Sequence, residues 1–296
     1  MISILIPTYN YNIFCLVEQI HAQCIHTTVP FEIVVIDDGS INFRLENESI
    51  TQLSNTRYLY LDENNGRTAA REKLAQLASY NWLLFLDSDV MPTKESFIQK
   101  YVDSIKKKKY NVVFGGITYQ KERPAPNLVL RWHYGRSREA KSVSEREKSP
   151  YFIISQNLLI EKDTFLEANT IKENYYGLDN FFSNQLQRLN KTVGHIDNPV
   201  LHLGLEPNDK FISKALSAVK TTVIFENKGL MNADSRPLQK SYLKLKKMGL
   251  TKIFSFIISK FKTKMHRNFH SERPNLFWFD LYRLAYYIDL KSDKNA

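Results

Sequence analysis

The stretch "WLLFLDSDVMP" (residues 82–92) decides how this chain is read. Trp82 to Leu86 form an unbroken apolar run of the kind that fills a strand buried on both faces of a sheet. Two acids separated by one serine, Asp87 and Asp89, follow at once. Like charges that close repel each other, so a buried strand ending on them asks for a compensating charge.

The segments before it repeat the strand signal. "ISILIP" (2–7), "FEIVVID" (31–37) and "TRYLYL" (56–61) are short, apolar and rich in β-branched or aromatic residues. "FCLVEQIHAQC" and "GRTAAREKLAQLAS" lie between them with the spacing of amphipathic helices. Strands alternating with helices predict an α/β fold with a mostly parallel sheet and right-handed crossovers. A helix is expected over 95–109 and a further strand over 111–117. The stretch 119–150 is charged, proline-bearing and poorly periodic. It reads as a functional loop or a disordered segment.

The 296 residues suffice for a full core, and 43% hydrophobic content excludes a disordered chain. No apolar run approaches the roughly 20 residues of a membrane-spanning helix. Residues 2–6 run into Pro7 without a basic preface, so they are expected to be a first strand and not a signal peptide. Two cysteines, Cys15 and Cys24, make no disulfide framework and point to a reducing cytoplasm. The net charge of +10 is unevenly spread. Residues 1–209 hold 23 Lys and Arg against 25 Asp and Glu, a balance of −2, whereas residues 210–296 hold 18 against 6, a balance of +12. The expected organisation is a catalytic domain over 1–209, with a nucleotide-binding half (1–110) and an acceptor half (111–209), followed by a basic helical extension over 210–296.

Asp37 and Asp38 end the second strand as Asp87 and Asp89 end the fourth. In an open parallel sheet the carboxyl ends of the strands face one crevice, where ligands bind. Two acid clusters there suit a hard divalent cation, Mg²⁺ or Mn²⁺, better than mere helix capping. The four segments "ISILIPTYN", "EIVVIDDGS", "NNGRTAARE" and "WLLFLDSDVMP", in this order, resemble family 2 glycosyltransferases of the GT-A fold over residues 1–205.

The resemblance implies inverting transfer of a sugar from a nucleotide-sugar, most often a UDP-sugar. It places the base pocket at Pro7, Thr8 and Tyr9, with Asp37 or Asp38 on the uracil. It places Arg71 near the nucleotide and ranks Asn65 and Arg67 lowest. Asp87 and Ser88 fall beside the donor, with Asp87 at the ribose or a metal-bound water. Asp89 falls on the metal that bridges the diphosphate, and this metal would relieve the carboxylate repulsion. "YYGLDNFFSNQLQRLNKTVGH" (175–195) matches the segment holding the family's general base, which falls on Asp179. Leu178 stands where the family usually has a glutamate. His202 is a candidate third ligand or diphosphate contact, and His195 a weaker one. Trp132, Arg136 and Arg138 are candidates for the acceptor or diphosphate loop, while Lys106 to Lys109 read as a solvated helix end.

In the tail, Ile253, Ile257 and Phe261, joined by Phe254 and Ile258, predict a helix with one apolar and one cationic face, suited to an anionic bilayer. The aromatic run 275–290 fits either the headgroup level or a packed core. No nucleic-acid module accompanies the charge. The expected whole is an enzyme of surface polysaccharide assembly on the inner face of the cell membrane, with a glycan or lipid-diphosphate-linked acceptor. A sugar-nucleotide pyrophosphorylase is disfavoured because "PTYNYNIF" has no glycine or basic residue after the first strand. A catalytically silent membrane-bound scaffold of the same fold is the other rival.

Overall fold

The computed structural model describes residues 1–171, 173 and 175–293, so the last three residues of the expected basic extension lie outside it. The elements run β1 (Ile2–Thr8), α1 (Phe14–Ile25), β2 (Phe31–Asp37), α2 (Arg44–Glu48), β3 (Thr56–Tyr60), α3 (Arg67–Leu77), β4 (Trp82–Leu86) and β5 (Val90–Pro92). Then come α4 (Phe97–Lys107), β6 (Val112–Phe114), β7 (Ile117–Thr118), α5 (Val129–Tyr134), α6 (Val143–Glu147), β8 (Asn157–Glu161), α7 (Lys162–Ala168) and α8 (Leu178–Arg188). The chain finishes with β9 (Val193–His195), β10 (Val200–His202), α9 (Asn208–Asn227), α10 (Pro237–Lys247), α11 (Thr251–Phe269) and α12 (Leu276–Ser292). It divides into two compact units. One holds Met1–Gln120, Glu139–Asn174 and Gln185–Gly204; the other holds Lys121–Arg138, Tyr175–Asn184 and Leu205–Ala296.

The first unit is built on a sheet of order β3-β2-β1-β4-β8-β6-β9, with a small second sheet of order β5-β10-β7. β1 pairs in parallel with β2 on one side and β4 on the other. The strand order reverses direction there, so a crevice opens at the carboxyl ends of these strands. β1 is buried along its whole length, as a central parallel strand must be. The sheet is mostly but not wholly parallel, since β8 runs antiparallel to both β4 and β6. Helix α4 buries Phe97, Ile98, Tyr101 and Val102, and its solvated end at Lys108 turns left-handed, as the run of lysines suggested.

Two expectations are corrected. The strand expected over 111–117 is two strands in different sheets, because Gly115 and Gly116 break it. Gly116 has φ of +97°, and a side chain at Gly115 would collide with the Tyr101 hydroxyl and Asn157. The stretch 119–150 is not a structureless loop but carries α5, a π-helical turn over Gly135–Glu139, and α6. Ser142 and Glu145 form a reciprocal capping box that starts α6. Buried Arg146 then donates to the carbonyls of Phe114 and Ile196, each at 2.9 Å, and stacks over the Phe114 ring.

The second unit is helical. Leu130, Phe211, Ile212, Ile258, Met265, Phe269, Leu276, Phe279, Tyr282 and Ala285 form its main core. Phe211 stacks on Phe279 at 5.5 Å, and Phe269 meets the same ring edge-on at 5.3 Å. The aromatic run of α12 is therefore spent on packing, with Phe277 the large apolar side chain it leaves exposed. Glu226, whose side chain is 2% exposed, accepts from the Tyr287 hydroxyl, from Gln239 and from Lys291 at 2.9 Å, which ties α9, α10 and α12 together. Helix α11 differs from the single apolar face expected of it. Ile258, Met265 and Phe269 go into the core with Phe254 packed beside them, whereas Ile253, Phe256, Ile257 and Phe261 point to solvent, each about half exposed. Among the described residues no helix is long and apolar enough to cross a membrane.

Candidate active site

The carboxyl ends of β1, β2 and β4 bring Thr8, Asp37, Asp38 and Asp87 together with the start of α3. Pro7 and Thr8 are buried, Thr8 donating to the Tyr11 carbonyl at 3.2 Å, and Tyr9 is exposed. The loops after β1 and β2 are stitched together: Asn10 N–H donates to Ser40 Oγ at 2.7 Å, and Asn10 Oδ1 accepts from Ile41 and Asn42.

The two acids of "IDDG" are occupied internally. Asp38 accepts from the backbone amides of Asn65 at 2.9 Å and Gly66 at 2.8 Å, where α3 begins. Asp37 accepts from the Tyr58 hydroxyl and from Ser40 N–H at 2.8 Å. Burial, then Asp37 itself, pushes the Tyr58 phenol far up. Asp37 has no accessible surface. Its bonds to Tyr58 and Ser40 hold the β2 turn against β3.

The question posed by Asp87 and Asp89 receives a different answer from the one the sequence suggested. Arg71 donates to Asp87 Oδ1 at 2.6 Å and to the Ser155 carbonyl at 2.6 Å. Arg67 donates to Asp87 Oδ2 at 2.8 Å and to Ser155 Oγ at 3.0 Å. Burial alone would raise the Asp87 pKa. The charges of Arg67 and Arg71 outweigh it and hold the group below the ordinary carboxylate range. Asp87 is therefore neutralised by the protein itself, and Arg67, ranked among the least of the candidates, is part of the site. The signal was present in the sequence: Arg67 and Arg71 stand at i and i+4 and share a helix face.

Asp89 has a different setting. Its carboxylate lies 3.4 Å from His202 Nε2, because β10 pairs antiparallel with β5 and sets His202 against Val90. Ser88 makes the turn between the two acids. Leu203 N–H donates to the Asp89 carbonyl at 2.8 Å, fixing the loop. Burial and the nearby Asp89 charge both raise the pKa of Tyr11, a residue the sequence did not single out. His202 is buried, and its Nδ1 has no hydrogen-bond partner. The nitrogen that faces Asp89 is the other one, Nε2. A carboxylate oxygen and an imidazole nitrogen side by side fit adjacent corners of a divalent-metal coordination sphere, and the nitrogen favours Mn²⁺ over Mg²⁺.

Gly204 explains why this pair is close. A Cβ built there would overlap the Asp89 carboxylate. Gly204→Ala is expected to displace Asp89 and weaken any Mn²⁺ binding at this pair about 10-fold or more while changing the melting temperature little, measured by calorimetry and thermal unfolding. His195 is structural, sharing Arg146 with the Phe114 carbonyl and bonding to the Pro150 carbonyl at 2.9 Å, and burial lowers its pKa.

The family model described as "Glycosyl transferase family 2" matches residues 3–166, which is more than half of the sequence and spans β1 through most of α7. The chain belongs to glycosyl transferase family 2. An uncharacterized glycosyltransferase of Rickettsia felis is 34% identical over 136 residues, covering 45% of this chain and 22% of that protein. The chain thus spans about a fifth of the length of that curated relative. Among solved structures, the mannosyltransferase PcManGT of Pyrobaculum calidifontis, in complex with GDP-Man and Mn²⁺, superposes with a TM-score of 0.58 at 12% identity, covering 99% of this chain and 87% of its own. Glucosyl-3-phosphoglycerate synthase of Mycobacterium tuberculosis, in complex with Mn²⁺, UDP and its glucosylated product, gives 0.53 at 16% identity over 79% and 81%. At these identities the likeness establishes the fold, which is of the GT-A type.

The second unit of this family 2 chain holds the other sequence candidates. Asp179 does not precede its helix as an N-cap but sits inside the first turn of α8, and its charge lies within reach of Arg236. Arg138 is paired with Asp280 at 2.7 Å, and Arg136 donates to the Lys121 carbonyl at 3.0 Å while lying over the Trp132 ring. Both side chains remain exposed beside these partners.

Proposed function

We propose that this chain transfers a sugar from a nucleotide-sugar, with UDP-sugars the leading donor class, to a hydroxyl of a glycan or lipid-diphosphate-linked acceptor, with inversion at the anomeric carbon. The reading fits a role in surface polysaccharide assembly. The observation that carries it is the Asp89–His202 pair beside an Asp87 already neutralised by Arg67 and Arg71, at the carboxyl ends of the central strands. Asp89 and His202 would hold Mn²⁺ or Mg²⁺, which when bound offsets the charge left on the departing diphosphate. Support for the metal comes from His202 Nε2 lying 3.4 Å from the Asp89 carboxylate and from the Mn²⁺ present in the two solved structures of the same fold.

Around that group the chain's own residues do three things. Thr8 and Tyr9 with the Asn10–Ser40 stitch shape one wall of the nucleotide end. Asp38 fixes the start of α3, so that Arg67 and Arg71 stay aimed at Asp87. Asp179 accepts the proton of the attacking hydroxyl. Asp179→Asn is expected to lower kcat about 100- to 10,000-fold while UDP affinity stays unchanged, read by donor turnover and calorimetry. Unchanged turnover would remove Asp179 from the mechanism. A wild-type chain that binds UDP but never consumes donor would favour the scaffold reading, for which Leu178 gives the footing.

Attachment to the inner membrane face is supported by α11. Ile253, Phe256, Ile257 and Phe261 are exposed beside Lys252, Lys260 and Lys264, an apolar surface fringed by cations. Replacing the four apolar residues by serine is expected to weaken co-sedimentation with anionic vesicles about 100-fold or more, without loss of α-helical signal.

A further inference from the structure

A second cluster of metal-binding side chains lies in the helical unit and shares no residue with the site described above. Asp209 stands in the first turn of α9, while His266 and His270 stand four residues apart at the end of α11. One ligand atom from each lies within 4.8 Å of the others, and all three side chains are exposed. The core beneath holds the two helices together through Phe211 and Ile212 on α9 and Met265 and Phe269 on α11.

The hydrogen bonding of His270 is the informative detail. Its Nδ1 is 2.9 Å from the His266 carbonyl, and its Nε2 is 2.8 Å from Asp209 Oδ1. Both neighbours only accept hydrogen bonds, so the ring satisfies both with two protons, or with one proton and a cation at Nε2. An imidazole pinned through Nδ1–H to a backbone carbonyl, with Nε2 facing a carboxylate, is the arrangement that orients metal-ligating histidines. The His266 ring stacks on His270 at 5.0 Å, with a 28° angle between planes. Around a tetrahedral ion with bonds of about 2.0 Å, neighbouring ligand atoms sit roughly 3.3 Å apart. Opening the 2.8 Å His270–Asp209 contact by about half an ångström and drawing in the His266 ring, whose ligand atom lies within 4.8 Å of the others, would bring the three atoms to that spacing.

We propose that Asp209, His266 and His270 form a binding site for a borderline transition-metal ion, Zn²⁺ or its Ni²⁺ and Cu²⁺ neighbours, that clamps the start of α9 to the end of α11. Two imidazoles and one carboxylate favour these ions over the Mg²⁺ or Mn²⁺ that suits a phosphate-bridging site. Lys210 and Arg267 adjoin the ligands, so binding rests on coordination by the imidazoles and not on a negative field.

The test uses the full chain carrying Asp89→Asn, stripped with chelator and titrated with ZnCl₂ by calorimetry, with thermal unfolding in parallel. The expected result is one saturable Zn²⁺ per chain and a higher melting temperature when it is bound. His266→Ala and His270→Ala should each weaken Zn²⁺ binding by about 10-fold or more, and His266→Cys should retain it, since a thiolate replaces the imidazole as ligand. In the otherwise wild-type chain, neither alanine variant should alter Mn²⁺-dependent UDP binding. Equal Zn²⁺ affinity in parent and alanine variants would overturn the proposal. So would a loss of stability in His270→Ala that is the same with and without Zn²⁺, which would leave Asp209 and His270 as an ion pair only.

Discussion

Asp89→Asn is expected to abolish measurable Mn²⁺-dependent UDP binding and to lower donor turnover about 100-fold or more, with the fold intact. The size follows from the task assigned to the carboxylate. A metal that stabilises charge on a leaving diphosphate contributes several kcal/mol to the transition state, and each 1.4 kcal/mol is tenfold in rate. On the proposed reading Asp89 would supply the anionic ligand and His202, 3.4 Å away, a neutral one. Folding should be spared, because 26% of the Asp89 side chain remains accessible and, among the described residues, its charge is paired with no arginine or lysine. Calorimetric titration with UDP, with and without Mn²⁺ and with GDP as comparator, reads the result. Retained metal-dependent binding in the variant would place the cation elsewhere.

Arg71→Met is expected to cost about 3 kcal/mol of stability. The Arg71 side chain is 9% exposed and that of Asp87 14%, so removing the guanidinium leaves a mostly buried carboxylate short of its more buried partner. Arg67 remains, but it is 45% exposed, and solvent screens what it can offer. A second replacement separates charge from packing: Asp87→Asn in the Arg71→Met background should recover part of the loss, because it removes the stranded charge. Denaturant unfolding of the two variants gives the comparison. If the single variant unfolds at the wild-type midpoint, the Asp87–Arg71 pair has no structural role. The pH dependence has a fixed sign. The Asp87 pKa is depressed in the folded chain, so its contribution is complete above the unfolded value and is lost as pH falls through the folded one. Acid should therefore narrow the difference between wild type and Arg71→Met.

Much of the first unit was legible because parallel strands are buried on both faces and show as unbroken apolar runs. β1, β2, β3 and β4 fall where "ISILIP", "FEIVVID", "TRYLYL" and "WLLFLD" placed them, to within a residue. The stretch 119–150 was not legible, since its order comes from Arg146 reaching the Phe114 and Ile196 carbonyls, and a buried arginine looks like any surface charge in a sequence. The Ser142-x-x-Glu145 capping box was the one local sign of α6. The double role of α11 escaped for a related reason. Periodicity reports that Ile253, Phe254, Ile257, Ile258 and Phe261 are apolar, but which of them meet Phe211 and Phe279 depends on where the other helices lie.

By itself the sequence determined the α/β alternation, the acids at the strand ends and the concentration of positive charge after residue 209. Each is written in local pattern and composition, which reflect how one segment meets water. The tertiary structure decided the pairings: Arg67 and Arg71 on Asp87, His202 against Asp89, Asp209 beside His270. These partners lie from sixteen to more than a hundred residues apart. What joins them is the reversal of strand order at β1, the β5–β10 ladder and the packing of α9 and α11 on α12, and charge and hydrogen-bond energies fall off too steeply with distance for any local reading to reveal them.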